Sequence, residues 1–215
     1  MNTKRQINGS SQIRMLHDDT NLTELVSNKV ISWLPDTPCE YIVVFIGTDR
    51  STGDSLGPLA GTLFKERKPS NMTVYGTLHS PVHATNLEAY LSHIEETHYN
   101  PFIIAVDACL GKSSSVGCIT AEHGPLKPGT ALNKKLPDVG DIHLTGIVNM
   151  SGFMEYSVLQ STRLSIVMDM ARKITDILEK VDESLARPPR FSAAIVQKML
   201  TANRTIINES GLPPM

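Results

Sequence analysis

Three short apolar runs alternate with helical patterns in the first half of the chain, and this alternation restricts the possible folds more than any other feature. The runs are YIVVFI (41–46), MTVYG (72–76) and FIIAVDA (102–108), which have the β-branched and aromatic character of buried strands. Apolar residues at helical spacing follow the first two runs, over 54–67 and 86–96. Such alternation is typical of right-handed βαβ units. The sequence therefore predicts an α/β fold with a mostly parallel central sheet and helices on both of its faces.

The segments around these units are predicted to complete one domain. Apolar residues recur at helical spacing over 20–34. SVGCITAEH (115–123) is predicted as an edge strand and IHLTGIV (142–148) as a further strand, with a long irregular loop between them. The last long helical pattern, 153–182, is expected to break between residues 162 and 164. We therefore expect a single α/β domain over residues 20–185.

Both ends of the chain are predicted to lie outside this domain. Residues 1–19 are mostly polar, so we expect a flexible N-terminal arm. ARPPRF marks the boundary of a C-terminal tail, residues 186–215. The tail contains an amphipathic helical stretch within 191–208, which is expected to dock on the domain or to meet a partner. Because this stretch has apolar residues, one predicted role of the tail is to form a homodimer.

Charge and composition exclude several classes of protein. The chain has 20 Lys and Arg against 22 Asp and Glu, a net charge of -2, and no long basic run, so no nucleic-acid partner is expected. The N-terminus has no signal-peptide core and no run approaches 18 apolar residues, so neither secretion nor a membrane span is expected. Three cysteines without CxxC spacing indicate a reducing, cytoplasmic setting.

The first apolar run leads into a glycine-rich turn, GTDRSTGDSLGP (47–58). A helix N-terminus after a strand favours an anion, but this turn lacks both GxxxxGK[ST] and GxGxxG, and Asp54 would repel a phosphate. One interpretation is that Asp54 only caps the helix. The other is that the helix dipole helps to keep a functional carboxylate ionised at this point.

A second carboxylate, Asp107, favours the functional interpretation. It is the first charged residue after the apolar part of the third strand and is expected at that strand's carboxyl end, as Asp54 is at the end of the first. Ligands of open α/β sheets bind at these ends, where the strand order reverses. Two carboxyls in one crevice can act as general acid and base, with one keeping its proton, or can bind a divalent cation. A purely structural Asp107 that caps the following turn is the remaining alternative.

Other candidate residues in the sequence are weaker. His83 follows another strand and is predicted to line the same crevice and contact substrate, whereas Pro81 prevents His79 and His83 from sharing a helix face as a metal pair. Cys109 is expected to be a packing residue and not a nucleophile. The sequence predicts no metal-ligand cluster and no cofactor, apart from a divalent metal between Asp54 and Asp107.

GTDRSTGDSLGP, VDACLG and HGPLKPG…NKKLPDVGD resemble the YyaC family of sporulation proteins of spore-forming Firmicutes. They are more distantly similar to the spore germination protease and to hydrogenase maturation proteases. The resemblance covers residues 20–182 and implies a three-layer α/β/α domain of the phosphorylase/hydrolase-like kind. It implies that Asp54 and Asp107 hydrolyse peptide bonds. The nickel-sensing His of the maturation proteases has no counterpart near Asn149, which favours the spore-protease branch.

The resemblance extends to function and setting. It implies a sporulation-associated protease that acts on a protein or peptide, such as a spore protein, in the cytoplasm of the forespore or mother cell. Thr52, Ser55 and Lys112 are predicted to orient the carboxylates or the substrate. The alternatives are a non-catalytic peptide-binding protein on the same fold and a hydrolase that depends on a divalent cation.

Overall fold

The structure, a computed structural model, describes residues 11–128 and 136–186. Its strands are β1 (Gln12–Leu16), β2 (Tyr41–Phe45), β3 (Met72–Tyr75), β4 (Phe102–Gly111), β5 (Cys118–His123) and β6 (Ile142–Met150). Its α-helices are α1 (Leu22–Ile31), α2 (Leu56–Glu66), α3 (Leu87–Thr97), α4 (Glu155–Gln160) and α5 (Leu164–Leu185). Two short 3-10 turns are present at Gly53–Ser55 and Ser113–Ser115.

All six strands form one sheet in the order β1-β5-β6-β4-β2-β3. Strands β3, β2, β4 and β6 are parallel, whereas β5 is antiparallel to β6 and β1 is antiparallel to β5. The chain passes from β2 to β3 on one side and then returns to β4 on the other side. The strand order therefore reverses between β2 and β4, which is where ligands of open α/β sheets bind. The predicted mostly parallel α/β sheet is confirmed.

Helices cover both faces of the sheet. Because successive side chains of a strand point to opposite faces, Val43 and Phe45 pack with α1, α2 and α5, whereas Ile42 and Val44 pack with α3. Each fully buried Leu, Ile or Phe side chain stabilises such a layer by about 1.5–3 kcal/mol. The architecture is therefore the predicted three-layer α/β/α sandwich.

A buried carboxylate connects the end of α5 to the start of β3. Asp182 is 8% exposed, and its two oxygens accept backbone N–H groups of Ser70 at 3.0 Å and Asn71 at 2.8 Å. The Asn71 side chain donates to the Asp182 carbonyl at 2.9 Å. These bonds fix the far end of α5 against the sheet, opposite to the end that carries the candidate site.

The predicted N-terminal arm is wrong for residues 12–16, which form β1. QIRML alternates polar and apolar residues, and Ile13 and Met15 pack on the core while Arg14 is exposed. Alternation with a period of two indicates a strand that is buried on one face, and it is not expected in a flexible polar arm. β1 pairs with the outer side of β5, so the domain begins before residue 20. β1 is therefore the edge strand, and the prediction that β5 is the edge strand is wrong.

The predicted break in the last helical pattern is confirmed, because α4 ends at Gln160 and α5 begins at Leu164. The tail predicted after residue 185, including the amphipathic stretch within 191–208, lies outside the described residues beyond Ala186. Among the helices that the structure describes, none is long and apolar enough to cross a membrane.

Candidate functional site

The candidate site lies where β2 leaves the sheet beside β4. The last register pair of these strands is Phe45 with Val106, and the Ile46 N–H then donates to the Val106 carbonyl at 2.7 Å. Asp107 follows directly on β4, at the point where its neighbour β2 has ended. β4 itself continues to Gly111 with β6 as its partner, so the prediction that Asp107 lies at the end of its own strand is wrong.

The glycine-rich turn after β2 folds back on itself and places Asp54 near this point. The Thr48 N–H donates to the Asp54 carbonyl at 3.2 Å. Gly47 has φ of 140°, and a Cβ there would lie 2.0 Å from the same carbonyl oxygen. A Cβ on Gly57 would lie 2.0 Å from the Ile46 carbonyl. Because glycine has no Cβ, both residues permit a close approach of two backbone segments. This requirement explains why the turn is glycine-rich like a phosphate-binding loop, although its glycines do not have the spacing of such loops.

Asp107 is a buried carboxyl, 9% exposed, in the wall of the site. Its Oδ1 accepts the Ala108 N–H at 2.7 Å. Burial raises the pKa of Asp107 well above its usual range, and the nearby charge of Asp54 raises it further, while the Ala108 N–H acts in the opposite direction. Asp107 is thus the carboxyl that more readily keeps its proton.

Asp54 lies inside the 3-10 turn Gly53–Ser55, two positions past the cap residue Thr52, and no side-chain capping bond is made there. The interpretation of Asp54 as a helix cap is therefore wrong. Burial raises the pKa of Asp54, opposed by the Thr48 N–H and by the charge of His83. The net direction is upward, so burial outweighs the groups that favour the ionised form, contrary to the expectation that the helix terminus dominates.

Two carboxyls that repel each other in a largely buried setting do not ionise independently. Ionisation of Asp54 makes ionisation of Asp107 more costly, since the Asp54 charge raises the pKa of Asp107. The state with one proton on Asp107 and a charge on Asp54 is therefore favoured over the doubly ionised state. Such a pair offers one hydrogen-bond donor and one base at the point where β2 ends.

His83 and Thr52 lie near the carboxyls in different ways. His83 is half-buried, acts electrostatically on Asp54, and has Nδ1 at 2.9 Å from the Thr85 hydroxyl. Its loop is held to the glycine-rich turn because the Gly47 N–H donates to the Val82 carbonyl at 2.8 Å. Thr52 is half-buried in the cap position of the 3-10 turn. Their predicted substrate contacts stay predictions.

Ser55 and Lys112 have environments that favour other roles. The buried Ser55 hydroxyl donates to the Thr52 carbonyl at 2.6 Å, so it stabilises the start of α2. Lys112 is exposed and follows the last residue of β4, five residues after Asp107. At ~3.3 Å per strand residue, this places it about 16 Å from Asp107 along the strand. The structure does not bring Lys112 to the two carboxyls.

Thr145 is a neighbour of Asp107 that the sequence did not single out. It is the register partner of Asp107 on β6, is buried, and makes a side-chain hydrogen bond with Cys109. The signal was a lone hydroxyl within the apolar run IHLTGIV. Burial raises the pKa of the Cys109 thiol to about 11, which agrees with a packing role for this cysteine.

Asn149 lies near the end of β6. Its Nδ2 donates to the Val158 carbonyl and the Thr162 hydroxyl, both at 3.2 Å. The Met150 N–H donates to its Oδ1 at 2.9 Å. Asn149 therefore fixes α4 against the sheet. Across residues 11–128 and 136–186, no group of three or more His, Cys, Asp or Glu residues could hold a metal ion.

Comparison with known proteins gives one similar sequence, one similar structure and one family. The chain is 54% identical to the uncharacterized protein YyaC of Bacillus subtilis (strain 168) over 151 residues, which cover 70% of this chain and 74% of YyaC. A [NiFe] hydrogenase maturation protease, HycI from Thermococcus kodakarensis KOD1, is 14% identical in its crystal structure with a TM-score of 0.45, covering 68% of this chain and 95% of that chain. Residues 14–177 match the family described as protein of unknown function (DUF1256), and the chain belongs to that family.

Proposed function

We propose that this protein hydrolyses a peptide bond with Asp54 as general base and Asp107 as general acid. The Asp54 carboxylate accepts a proton from water while the water oxygen bonds to the peptide carbonyl carbon. The Asp107 carboxyl gives its proton to the amide nitrogen as the carbon–nitrogen bond breaks. The proton on Asp54 then passes to Asp107, so both groups return to their starting states and the products are one carboxyl and one amine group.

The observation that carries the proposal is the electrostatic coupling of the buried Asp107 to Asp54 at the reversal of strand order. Asp107 has its pKa raised by burial and by Asp54, which suits a proton donor near neutral pH. The Thr48 N–H and His83 both lower the pKa of Asp54 relative to burial alone, which suits the base. Perturbed acids in a crevice are more frequent at functional sites than elsewhere.

Exposed apolar residues that precede α4, the helix that packs on the turn carrying Asp54, support a peptide substrate. Met150, Phe153 and Met154 are 52%, 97% and 68% exposed. They precede α4, and Leu159 of α4 packs so closely on the turn that carries Asp54 that a Cβ on Gly53 would lie 2.8 Å from its side chain. Exposed apolar patches are typical of binding sites. These three side chains suit apolar groups of a bound peptide.

The resemblance to sporulation proteins supports a setting for this activity. We propose a protein of the developing spore as the substrate and the forespore or mother-cell cytoplasm as the location. Asp54→Asn and Asp107→Asn introduced into the chromosome of the source organism are then expected to impair sporulation or germination. Normal spore yield and normal germination of both variants would contradict this setting.

Cleavage itself is tested by mixing the purified full-length protein with protein extracted from spores and identifying new N-termini by mass spectrometry. Asp54→Asn and Asp107→Asn are each expected to lower the cleavage rate by about 10²- to 10⁴-fold, as loss of general acid or base catalysis does. Asp169→Asn is the matched control, since Asp169 is exposed and pairs with Arg172 on the surface of α5. Undiminished cleavage by the two site variants would refute the proposal.

A non-catalytic peptide-binding protein is the second candidate. It is favoured by the upward direction of both pKa values, because two protonated carboxyls would supply hydrogen bonds but no base. Peptide binding without any new N-termini, retained in Asp54→Asn, would establish this function in place of hydrolysis. A hydrolase dependent on a divalent cation bound between Asp54 and Asp107 predicts in addition that a chelator abolishes cleavage and that added Mg²⁺ or Mn²⁺ restores it.

A further inference from the structure

A row of polar side chains crosses the sheet from its outer edge to Asp107. Arg14 on β1 is the register partner of Thr120 on β5, Thr120 is the partner of Thr145 on β6, and Thr145 is the partner of Asp107 on β4. Register partners project from the same face of a sheet. We propose that Arg14, at the exposed end of this row, binds a carboxylate group of the peptide substrate. The inference rests on the function proposed above.

The Arg14 side chain lies across β5 toward the candidate site. Its Nε–H donates to the Thr120 hydroxyl at 3.2 Å, and Thr120 is only 3% exposed whereas Arg14 is exposed. The guanidinium charge also acts on Cys109, two residues after Asp107 on β4. It lowers the pKa of that thiol, against the larger effect of burial. The positive charge of Arg14 therefore affects the pKa of a side chain on β4, the strand that carries Asp107.

Arg14 has donors to spare for a ligand. A guanidinium has five N–H donors, and the bond to Thr120 uses one. Among the residues that the structure describes, Arg14 has no ion-pair partner, although Glu122 lies two residues from Thr120 on the same face of β5. The Glu122 carboxylate instead accepts from Gln12 at 3.1 Å and lies 3.9 Å from His143 Nε2. The remaining fork of Arg14 matches the geometry of an external carboxylate.

The sheet spacing sets the distance between this carboxylate and the scissile bond. β1 and β4 are three strand positions apart, about 14 Å at ~4.8 Å per strand. The Arg14 side chain covers the first of these intervals, which leaves about 10 Å, or about three residues of an extended peptide. Because Thr120 and Thr145 on this line are buried, about three residues is the minimum span. The substrate class is thus a peptide with a carboxylate about three or more residues from the bond that is cut.

The test uses a random decapeptide library in two forms, with free C-terminal carboxylates and with C-terminal amides. Each form is bound to the full-length Asp107→Asn variant, which prevents cleavage, and the retained peptides are sequenced by mass spectrometry. We expect about tenfold enrichment of Asp and Glu over Asn and Gln in the amide library, the typical effect of a charge-assisted hydrogen bond. Enrichment confined to the free-acid library would instead assign the carboxylate to the peptide C-terminus.

Three further variants in the same Asp107→Asn background show whether Arg14 is responsible. Arg14→Gln should abolish the preference for carboxylates, and Arg14→Glu should replace it by a preference for Lys and Arg. Arg172→Gln removes the same charge from the exposed surface of α5 and should change nothing. A preference for basic peptides in Arg14→Glu cannot arise from a merely structural role of Arg14.

Absence of any carboxylate preference, or a preference that survives in Arg14→Gln, would overturn the inference. Cleavage of the same library by the unsubstituted protein is measured in parallel. Cleavage without an Arg14-dependent preference would refute only the role of Arg14. An Arg14-dependent preference without cleavage would refute only the peptidase proposal.

Discussion

Replacing Asp107 by Asn is expected to make the folded protein more stable at neutral pH. The pKa of Asp107 is raised in the folded state, first by burial and then by Asp54. The stability that its proton contributes is fully present below the pKa of an unfolded Asp, about 3.9. It is lost as the pH rises from there through the higher folded pKa, because the unfolded state releases its proton first. Asn stays neutral at every pH and avoids this loss.

The size of the effect follows from proton linkage. In the pH window between the two pKa values of Asp107, the free energy of unfolding should fall by about 1.4 kcal/mol per pH unit for this one proton. In the native protein the Ala108 N–H donates to Asp107 at 2.7 Å. The Asp107→Asn variant should keep this hydrogen bond, because an amide oxygen is also an acceptor. Asp54→Asn removes the charge of Asp54 but leaves Asp107 buried, so the folded pKa of Asp107 should fall only in part. The pH range over which stability decreases should therefore become narrower but should not disappear.

Urea unfolding at pH 4 to 9 measures this effect in the unsubstituted protein, in both single variants and in the double variant. In the Asp107→Asn protein, the free energy of unfolding should no longer include the pH dependence caused by the Asp107 proton. Its urea midpoint at pH 7 should be higher than that of the unsubstituted protein. The two substitutions should be non-additive, because they share one electrostatic interaction. An unchanged pH slope in Asp107→Asn, or lower stability at every pH, would refute the argument from burial.

Two further substitutions test the structural support of the site. Asp182→Ala removes the acceptor of two backbone N–H groups at the start of β3 and should cost about 2–4 kcal/mol in urea unfolding, whereas Asp182→Asn, which keeps one oxygen, should cost less. Gly47→Ala places a Cβ 2.0 Å from the Asp54 carbonyl oxygen and should cost more than about 2 kcal/mol and abolish cleavage. Gly124→Ala, at φ of 113° with open space around it, is the control and should cost about 1 kcal/mol; equal losses at the two glycines would contradict the close contact.

The sheet core was predictable because its strands are continuous apolar runs. YIVVFI and FIIAVDA correspond to β2 and β4, and the helical spacing between strands corresponds to α2 and α3. β1 was not recognised, since its five residues alternate polar and apolar side chains within a polar N-terminal segment. Its pairing with β5 is a contact between residues about 100 positions apart, which local patterns do not encode.

The candidate site was predictable only in part. Asp107 stood out as the first charge after an apolar run, and Asp54 stood out as a carboxylate within the glycine-rich turn that follows another. The direction of the Asp54 pKa, however, depends on burial, which the sequence does not show. Thr145 and Arg14 are aligned with Asp107 only through strand register, which local sequence patterns do not show. Lys112 was predicted from the resemblance to orient the carboxylates or the substrate, but β4 continues past Asp107 to Gly111 and carries Lys112 away from them.

The most direct test of the shared proton is a carbon-13 NMR titration of the side-chain carboxyl groups in the full-length protein labelled at aspartate. The resonance of Asp107 is assigned by its absence in Asp107→Asn. It should stay protonated well above the usual range of Asp, and its pKa should fall when Asp54 is replaced by Asn. An Asp107 that titrates in the ordinary range, with the same pKa in Asp54→Asn, would contradict the account.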